Sequence, residues 1–115
     1  MKTVYVGNWN ARPCVIQRQP FGGTNTKGRL LGPYRDSYAA YSYSAPIFLW
    51  VAGWWFENEE QYGTISIRHR QLLAPTDTTI VISAKAIHKM VDDLENGEPP
   101  NLVAMNAITS SLPIA

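Results

Sequence analysis

The sequence predicts an α+β fold, in which a twisted antiparallel sheet of about five or six strands carries two or three short helices on one face. Short β-rich runs occupy the first half of the chain, two helical patterns occupy the second half, and a β-branched run lies between those helices. Because the strands mostly precede the helices, antiparallel pairing is expected rather than a parallel α/β layer. The length of 115 residues suits a single domain over residues 1–115.

The first part of the chain is predicted to form two strands and a long loop. Residues 3–6 alternate in polarity and are rich in β-formers, so they predict a strand. Residues 13–18 predict a second short strand. Residues 20–29 contain many turn formers and very few apolar side chains, which predicts a flexible exposed loop over about residues 20–35.

The centre of the chain predicts a β-hairpin. Residues 47–51 form a continuous apolar run of strand length, so this strand is expected to be covered on both faces. Residues 52–53 predict a tight reversal, and residues 54–57 return as the partner strand. Upstream of this hairpin, Tyr41 and Tyr43 lie two positions apart in an extended segment and are expected to share a face.

A helix and a strand are predicted after the hairpin. Thr64 or Ser66 is expected to cap a helix that runs to about Leu73, because their hydroxyl groups accept from free backbone N–H groups. Pro75 ends this helix. The β-branched run over residues 78–82 then predicts a strand.

The clearest helix follows Ser83, which is expected to cap it. Its apolar residues recur at helical spacing and form one stripe: Ile87, Met90, Val91 and Leu94. Gly97 closes this helix. Residues 102–108 predict a last short helix, and residues 110–115 predict a frayed or docked tail.

Composition narrows the classes of function. The formal net charge of +1 argues against a globally basic nucleic-acid binder and against an acidic DNA mimic. Cys14 is the single cysteine, which excludes a disulfide framework and a cysteine-built metal site. No signal-peptide pattern begins the sequence, and the longest apolar run, residues 45–56, is shorter than a membrane span. A cytoplasmic protein without a membrane partner is therefore expected.

Basic and aromatic side chains mark candidate contact positions. Guanidinium and ammonium groups hold phosphates or acidic groups, and aromatic rings stack on bases or anchor protein contacts. Adjacent strand residues point to opposite faces, so one of Trp54 and Trp55 is expected in the core and the other at an oligomer or partner contact. The predicted partner-binding residues are Lys27, Arg29, Arg35, Arg68, Arg70, Tyr41, Tyr43, Trp54 and Trp55.

The sequence contains no recognisable catalytic set, metal-ligand pattern or cofactor motif. His88 is expected on a helix surface, and the flanking Arg68 and Arg70 are expected to disfavour protonation of His69. A small hydrolase centred on His69, with a serine nucleophile, is the least favoured hypothesis because no nucleophile elbow surrounds a serine.

Residues 41–73 resemble a largely uncharacterised family of small phage-encoded proteins. The family pattern is a Ser-Tyr-x-Thr-x-Ile strand, an aromatic or Val-rich strand, and a closing Tyr-Ser-x-Thr-Thr-Ser-x-His segment. In this sequence the spacing of the closing segment is matched by Tyr62, Thr64, Ser66 and His69, whereas Gly63, Ile65 and Arg70 depart from the pattern. The resemblance implies a phage or mobile-element origin, and no catalytic residue is carried over from it.

The leading hypothesis is a non-enzymatic phage-type accessory protein of the host cytoplasm that acts by stoichiometric binding. It is expected to inhibit a host defence system by binding a host protein complex or a signal nucleotide, and to form a homo-oligomer, with a dimer favoured. One alternative is a single-stranded nucleic-acid-binding protein that stacks bases on Tyr41, Tyr43, Trp54 or Trp55. Another is a virion or assembly component whose exposed Trp and apolar residues 112–115 make subunit contacts.

Overall fold

A computed structural model describes residues 2–33, 35–60, 64–76 and 79–98. The described chain forms one seven-stranded sheet, whose strands follow chain order from edge to edge. The strands are β1 (Val4–Tyr5), β2 (Phe21–Gly22), β3 (Thr26–Leu31), β4 (Ser37–Ser42), β5 (Ala45–Val51), β6 (Trp54–Asn58) and β7 (Ile80–Ile82). The helices are α1 (Arg12–Ile16), α2 (Thr64–Leu73) and α3 (Ala84–Glu95), with a 3-10 turn at Asn8–Asn10. The predicted α+β class is confirmed, with more strands than expected.

The sheet is mixed, whereas an antiparallel sheet was predicted. β2 to β6 form an antiparallel meander, but β1 pairs with β2 in parallel and β6 pairs with β7 in parallel. Parallel neighbours need a crossover, which α1 supplies at one edge and α2 at the other. β1 and β6 run in the same direction, and each is followed by a crossover to the next strand on the same side of it in the sheet. The preference for right-handed crossovers therefore sends both helices to the same face.

The helices cover both faces of the sheet, so the prediction of helices on one face is wrong. The α3 stripe packs on one face, against Leu31, Ala39, Tyr41, Leu49, Val51, Phe56, Ile80 and Ile82. α1 and α2 pack on the other, where the buried residues are Ala11, Val15, Phe21, Tyr38, Ala40, Ile47, Phe48 and Leu73. The central strands thus bury apolar side chains on both sides, as predicted for residues 47–51.

Residues 12–16 form α1 instead of the predicted strand over residues 13–18. Pro13 lies in the first turn, where its fixed φ suits a helix and its missing N–H removes no intrahelical bond. Ala11 and Val15 lie four positions apart and are both fully buried. A run of β-formers is therefore helical because this spacing faces the sheet.

Half of the predicted loop over residues 20–35 belongs to β2 and β3. Buried Thr26 and Gly28 alternate with exposed Lys27 and Arg29, as expected for a strand, and Leu31 at its end is buried on the α3 face. The low apolar content of this segment predicted exposure, but one of its buried positions is occupied by a glycine, Gly28.

Gly28 occupies its position because no side chain fits there. A Cβ atom would collide with the hydroxyl oxygen of Tyr38 and would lie 2.6 Å from Cε1 of Phe21. Both of these rings are buried. The glycine therefore reflects close packing across β3 rather than a turn.

Several local predictions are confirmed. β5 and β6 form the predicted hairpin, and the φ angles of 54° at Ala52 and 82° at Gly53 suit its tight turn. The Oγ atom of Ser83 accepts from the backbone N–H of Ala86 at 3.1 Å and caps α3. Gly97 follows α3 with a φ of 77°.

Other predictions lie outside the described residues. They concern Tyr62, residues 102–108 and residues 110–115, together with the side chains of Thr64 and Ser66. Among the helices of the described ranges, none has the length and apolar content needed to cross a membrane.

Candidate functional site

A buried polar network joins α2 to the sheet and to the 3-10 turn. His69 is 4% exposed, and its Nδ1 lies 2.8 Å from Oγ of Ser42 at the end of β4. Its Nε2 lies 3.4 Å from Nδ2 of Asn8. Thr26, at the start of β3, donates from Oγ1 to Oδ1 of Asn8 at 2.6 Å. Four polar side chains from four parts of the chain therefore meet in one place.

The network defines the protonation of His69. With the Asn8 amide oriented so that its Oδ1 accepts from Thr26, its nitrogen donates to Nε2, and this favours the tautomer in which Nδ1 carries the proton and donates to Ser42. Burial lowers the pKa of His69, because removing the ring from water disfavours its charged form. The direction agrees with the sequence prediction, but the cause is burial rather than the adjacent Arg68 and Arg70.

The Ser42–His69 pair resembles part of a nucleophilic dyad but differs in access and in partners. Ser42 is 1% exposed, so its hydroxyl lies inside the packed interface between β4 and α2. The second ring nitrogen of His69 contacts an amide, whereas the Ser-His-Asp arrangement uses a carboxylate to stabilise the charged ring. In this geometry the pair holds α2 against β4.

Three exposed residues adjoin this network in the chain, and we call them the Trp9 surface: Trp9, Tyr43 and Arg68. Trp9 is 71% exposed, and the guanidinium carbon of Arg68 lies 5.0 Å from the centroid of its ring. Tyr43 is 51% exposed, and its ring centroid lies 5.9 Å from that of His69. The geometry of the first pair is that of a cation–π contact.

The buried network anchors the backbone next to each residue of the Trp9 surface. Trp9 directly follows Asn8, Tyr43 directly follows Ser42, and Arg68 directly precedes His69. Each residue of the surface is therefore the chain neighbour of a residue in the network. Such preorganisation lowers the entropic cost of burying an aromatic side chain against a partner.

Three of the predicted contact residues come together on the opposite face of the sheet. The Tyr41 ring lies 5.1 Å from Nζ of Lys27 and 5.3 Å from the guanidinium carbon of Arg29. Arg29 also donates from Nε to the Tyr41 hydroxyl at 3.2 Å and pairs with Glu95 at 3.1 Å. Tyr41 is 5% exposed, so its ring is covered and does not offer a face for base stacking.

Tyr43 does not share a face with Tyr41, contrary to the sequence prediction. β4 ends at Ser42, and Tyr43 lies in the following turn with a φ of 56°. Its backbone N–H donates to the carbonyl of Asn25 at 2.8 Å. The turn thus places this ring beside His69.

Arg70 is engaged between α2 and β6. Its Nη1 lies 3.3 Å from Oε2 of Glu57, and its Nη2 donates to the carbonyl of Glu60. Glu57 also accepts from the hydroxyl of Thr79 at 3.0 Å. This guanidinium therefore holds the second crossover in place.

The remaining predicted residues lie towards the other end of the strands. Trp55 packs into the α1/α2 face, with its ring edge-on to Tyr38 at 6.3 Å, while Trp54 is 49% exposed at the start of β6. The prediction that these two rings face opposite ways is confirmed. Arg35 is exposed in the connection between β3 and β4, with a φ of 54°.

The predicted contact residues therefore do not form one continuous site. Tyr43 and Arg68 share the Trp9 surface, whose central residue was missed by sequence reasoning. A signal for Trp9 existed, since Asn8 and Asn10 flank it and a Trp between two polar turn formers is unsuited to a core strand.

Comparisons with protein-family models, curated proteins and solved structures find no match. Among the described residues, no group of three or more His, Cys, Asp or Glu side chains is arranged to hold a metal ion. The interpretation of the site therefore depends on its own geometry.

Proposed function

We propose that this protein acts by stoichiometric binding, with the Trp9 surface as its principal contact. The observation that carries this proposal is the 71% exposure of Trp9 beside the guanidinium of Arg68. Trp, Tyr and Arg are the residue types that most often dominate binding energy at protein interfaces. Leaving a large ring in water forgoes the free energy of burial, which a partner would supply.

The partner is a host protein complex or a signal nucleotide, and the outcome of binding is inhibition of a host defence system. Support for this part comes from the resemblance of residues 41–73 to small phage-encoded proteins. The position of the Trp9 surface adds to it, because Tyr43 and Arg68 both lie within the resembling segment. The burial of the Ser42 hydroxyl favours binding over hydrolysis as the role of this region.

Single-stranded nucleic acid is a second candidate, because an exposed ring beside a guanidinium also stacks on bases and holds phosphate. The stacking residues would be Trp9 and Tyr43, since Tyr41 is covered. A protein or a single nucleotide is favoured over a long strand. A strand needs several cations along its path, but Arg29 and Arg70 are paired with carboxylates.

Affinity capture from bacterial lysate, analysed by mass spectrometry for proteins and small molecules together, tests the proposal. Tagged wild type is compared with Trp9→Ala and Arg68→Gln. Trp54→Ala is the matched control, because Trp54 is also half-exposed but lies at the opposite end of the strands. Circular dichroism melts verify that each variant folds.

We expect a captured partner to be lost with Trp9→Ala, reduced with Arg68→Gln and retained with Trp54→Ala. Equal capture by all of the variants, or capture of nothing by wild type, would contradict the proposal. Quenching of tryptophan fluorescence by single-stranded oligonucleotides at low salt, absent in Trp9→Ala, would favour the second candidate instead. Light scattering of wild type and Trp54→Ala tests whether Trp54 supports a homo-oligomer.

A further inference from the structure

A cavity of about 500 Å³ lies at the end of the sheet far from the Trp9 surface. It is bounded by the β3–β4 connection, by the β5–β6 turn and by the end of α3, with Ser37, Val51 and Leu94 in its wall. This volume is within the usual range of small-molecule sites. Because it shares no residue with the Trp9 surface, its role is independent of the function proposed above.

The shape of the cavity is set by backbone that packs closely. Gly32 has a φ of 73°, and a Cβ atom there would collide with the carbonyl oxygen of Leu94. Gly97 has a φ of 77°, and its Cβ would lie 3.2 Å from the ring of Pro33. These two glycines hold the β3–β4 connection against the end of α3. The cavity is thus part of the packed structure.

Ser37 contributes a buried polar group to this cavity. It is 2% exposed, and no hydrogen bond joins its hydroxyl to another group of the described ranges. Its hydroxyl oxygen is not among the fully buried atoms that lack a partner in the described residues, so it is open to a water or a ligand in the cavity. A ligand in the cavity could supply that hydrogen bond.

The charges around the cavity are negative. Asp36 and Glu98 belong to its wall and are both exposed, and none of the described residues that line it is a Lys or an Arg. Neither carboxylate forms an ion pair within the described parts of the chain. α3 ends beside them, and the C-terminal end of a helix carries a partial negative charge.

The arginines closest to the cavity have other contacts or do not line it. The guanidinium carbon of Arg18 lies 4.2 Å from the ring centroid of Trp50, which packs with the α1/α2 face of the sheet. Arg29 pairs with Glu95, and Arg35 is exposed beside Asp36 without lining the cavity. The described part of the wall therefore combines apolar side chains, one hydroxyl and two exposed carboxylates that have no ion pair among the described residues.

We propose that this cavity binds a small organic cation, in which an ammonium or guanidinium group is attached to a short apolar chain. The carboxylates attract the charged group, the hydroxyl of Ser37 accepts from one of its N–H donors, and Val51 and Leu94 contact the apolar chain. The same features disfavour an anion of equal size.

Titration of the full-length protein with 1,4-diaminobutane, n-butylamine, n-butanol and butyrate tests the proposal. Binding is followed by backbone amide NMR shifts, with Gly32, Val51 and Gly97 as reporters of the cavity. We expect both amines to shift these reporters and the diamine to bind more tightly. Equal shifts from the neutral alcohol, shifts from butyrate of the same size, or no shift with either amine would overturn the proposal.

Variants distinguish the cavity from general electrostatic attraction. Asp36→Asn and Glu98→Gln each should weaken amine binding about tenfold, because each removes one charge-assisted contact. The control Glu59→Gln removes an exposed carboxylate at the other end of β6 and should leave the affinity unchanged. Equal weakening by all of the variants would show non-specific attraction.

Ser37→Ala distinguishes a serine that contacts the ligand from one that only stabilises the fold. It should weaken amine binding while the midpoint of unfolding without ligand stays unchanged or rises, because the hydroxyl has no partner to lose. A lower midpoint with unchanged affinity would assign Ser37 to the fold and contradict its proposed contact.

Discussion

Gly28→Ala should destabilise the fold by about 2 kcal/mol. The new methyl group would meet the Tyr38 hydroxyl and the Phe21 ring, and both of these side chains are buried. Overpacking of this kind costs about 1–3 kcal/mol. Displacing Tyr38 also breaks its 2.9 Å hydrogen bond to the Gln19 carbonyl, worth about 1 kcal/mol. The reduced entropy of the unfolded chain returns up to about 1 kcal/mol.

Urea unfolding followed by tryptophan fluorescence and far-UV circular dichroism measures this loss. Tyr38→Phe removes the hydroxyl group, so the cost of Gly28→Ala should be smaller in the Tyr38→Phe background, with a coupling of about 1 kcal/mol. Gly7→Ala is the matched control. A Cβ at Gly7 meets no atom within 4 Å, and its φ of −68° suits alanine.

The comparison between Gly28 and Gly7 decides between two pictures of residues 20–35. In an exposed loop, both substitutions would change the free energy of unfolding by less than about 0.5 kcal/mol. Such a result would refute the packing of β3 described above. Additive costs of Gly28→Ala and Tyr38→Phe would instead show that the tyrosine hydroxyl is not the obstacle.

Three further predictions concern the polar contacts. Burial lowers the pKa of His69 below the 6.5 of the unfolded chain, so the unfolded state binds the proton first as pH falls. The contribution of His69 to the free energy of unfolding is therefore fully present above pH 6.5 and is lost as pH falls below it. This proton changes the free energy of unfolding by at most about 1.4 kcal/mol per pH unit. In urea unfolding at several pH values, His69→Gln should flatten this pH dependence, whereas the control His88→Gln, at an exposed residue, should not. The same pH dependence in both variants would contradict the argument. Ser83→Ala should lower the free energy of unfolding by about 1 kcal/mol, with Ser83→Asn near wild type, and an unchanged melting temperature in Ser83→Ala would disprove the cap. Glu57→Ala should cost about 1–2 kcal/mol in urea unfolding because the half-buried guanidinium of Arg70 loses its carboxylate, and an effect below about 0.5 kcal/mol would show that water replaces that partner.

The elements that the sequence predicted correctly are those specified by local signals. The β5–β6 hairpin follows from an apolar run, a two-residue reversal and a second β-rich run. α3 follows from the hydroxyl of Ser83, an apolar stripe and Gly97. In each case, the residues that specify the element are neighbours along the chain.

The elements that were missed depend on distant partners. Gly28 resembles a loop residue until Phe21 and Tyr38 are known to pack across it. α1 contains β-formers, and its helical spacing becomes meaningful only when the sheet lies beneath Ala11 and Val15. The parallel edges of the sheet likewise follow from crossovers rather than from composition.

The candidate surface shows the same division. The exposure of Arg68 and Tyr43 was anticipated from residue type, and the opposite orientations of Trp54 and Trp55 follow from strand geometry. The importance of Trp9 depends on a network that spans sixty-one positions between Asn8 and His69. Similarly, Tyr41 carries the residue type for stacking, but two cations and α3 cover its ring.

The order of the strands bears on how the molecule is made. Since each strand lies beside its neighbour in the chain, no strand has to be threaded between two that have already paired. Each pairing therefore closes only a short loop and loses little chain entropy, which favours rapid folding for a sheet of this size. During synthesis, the unpaired edge of the sheet is covered by the next segment of chain to leave the ribosome. Because each edge is exposed only briefly, it has little time to pair with another molecule and aggregate.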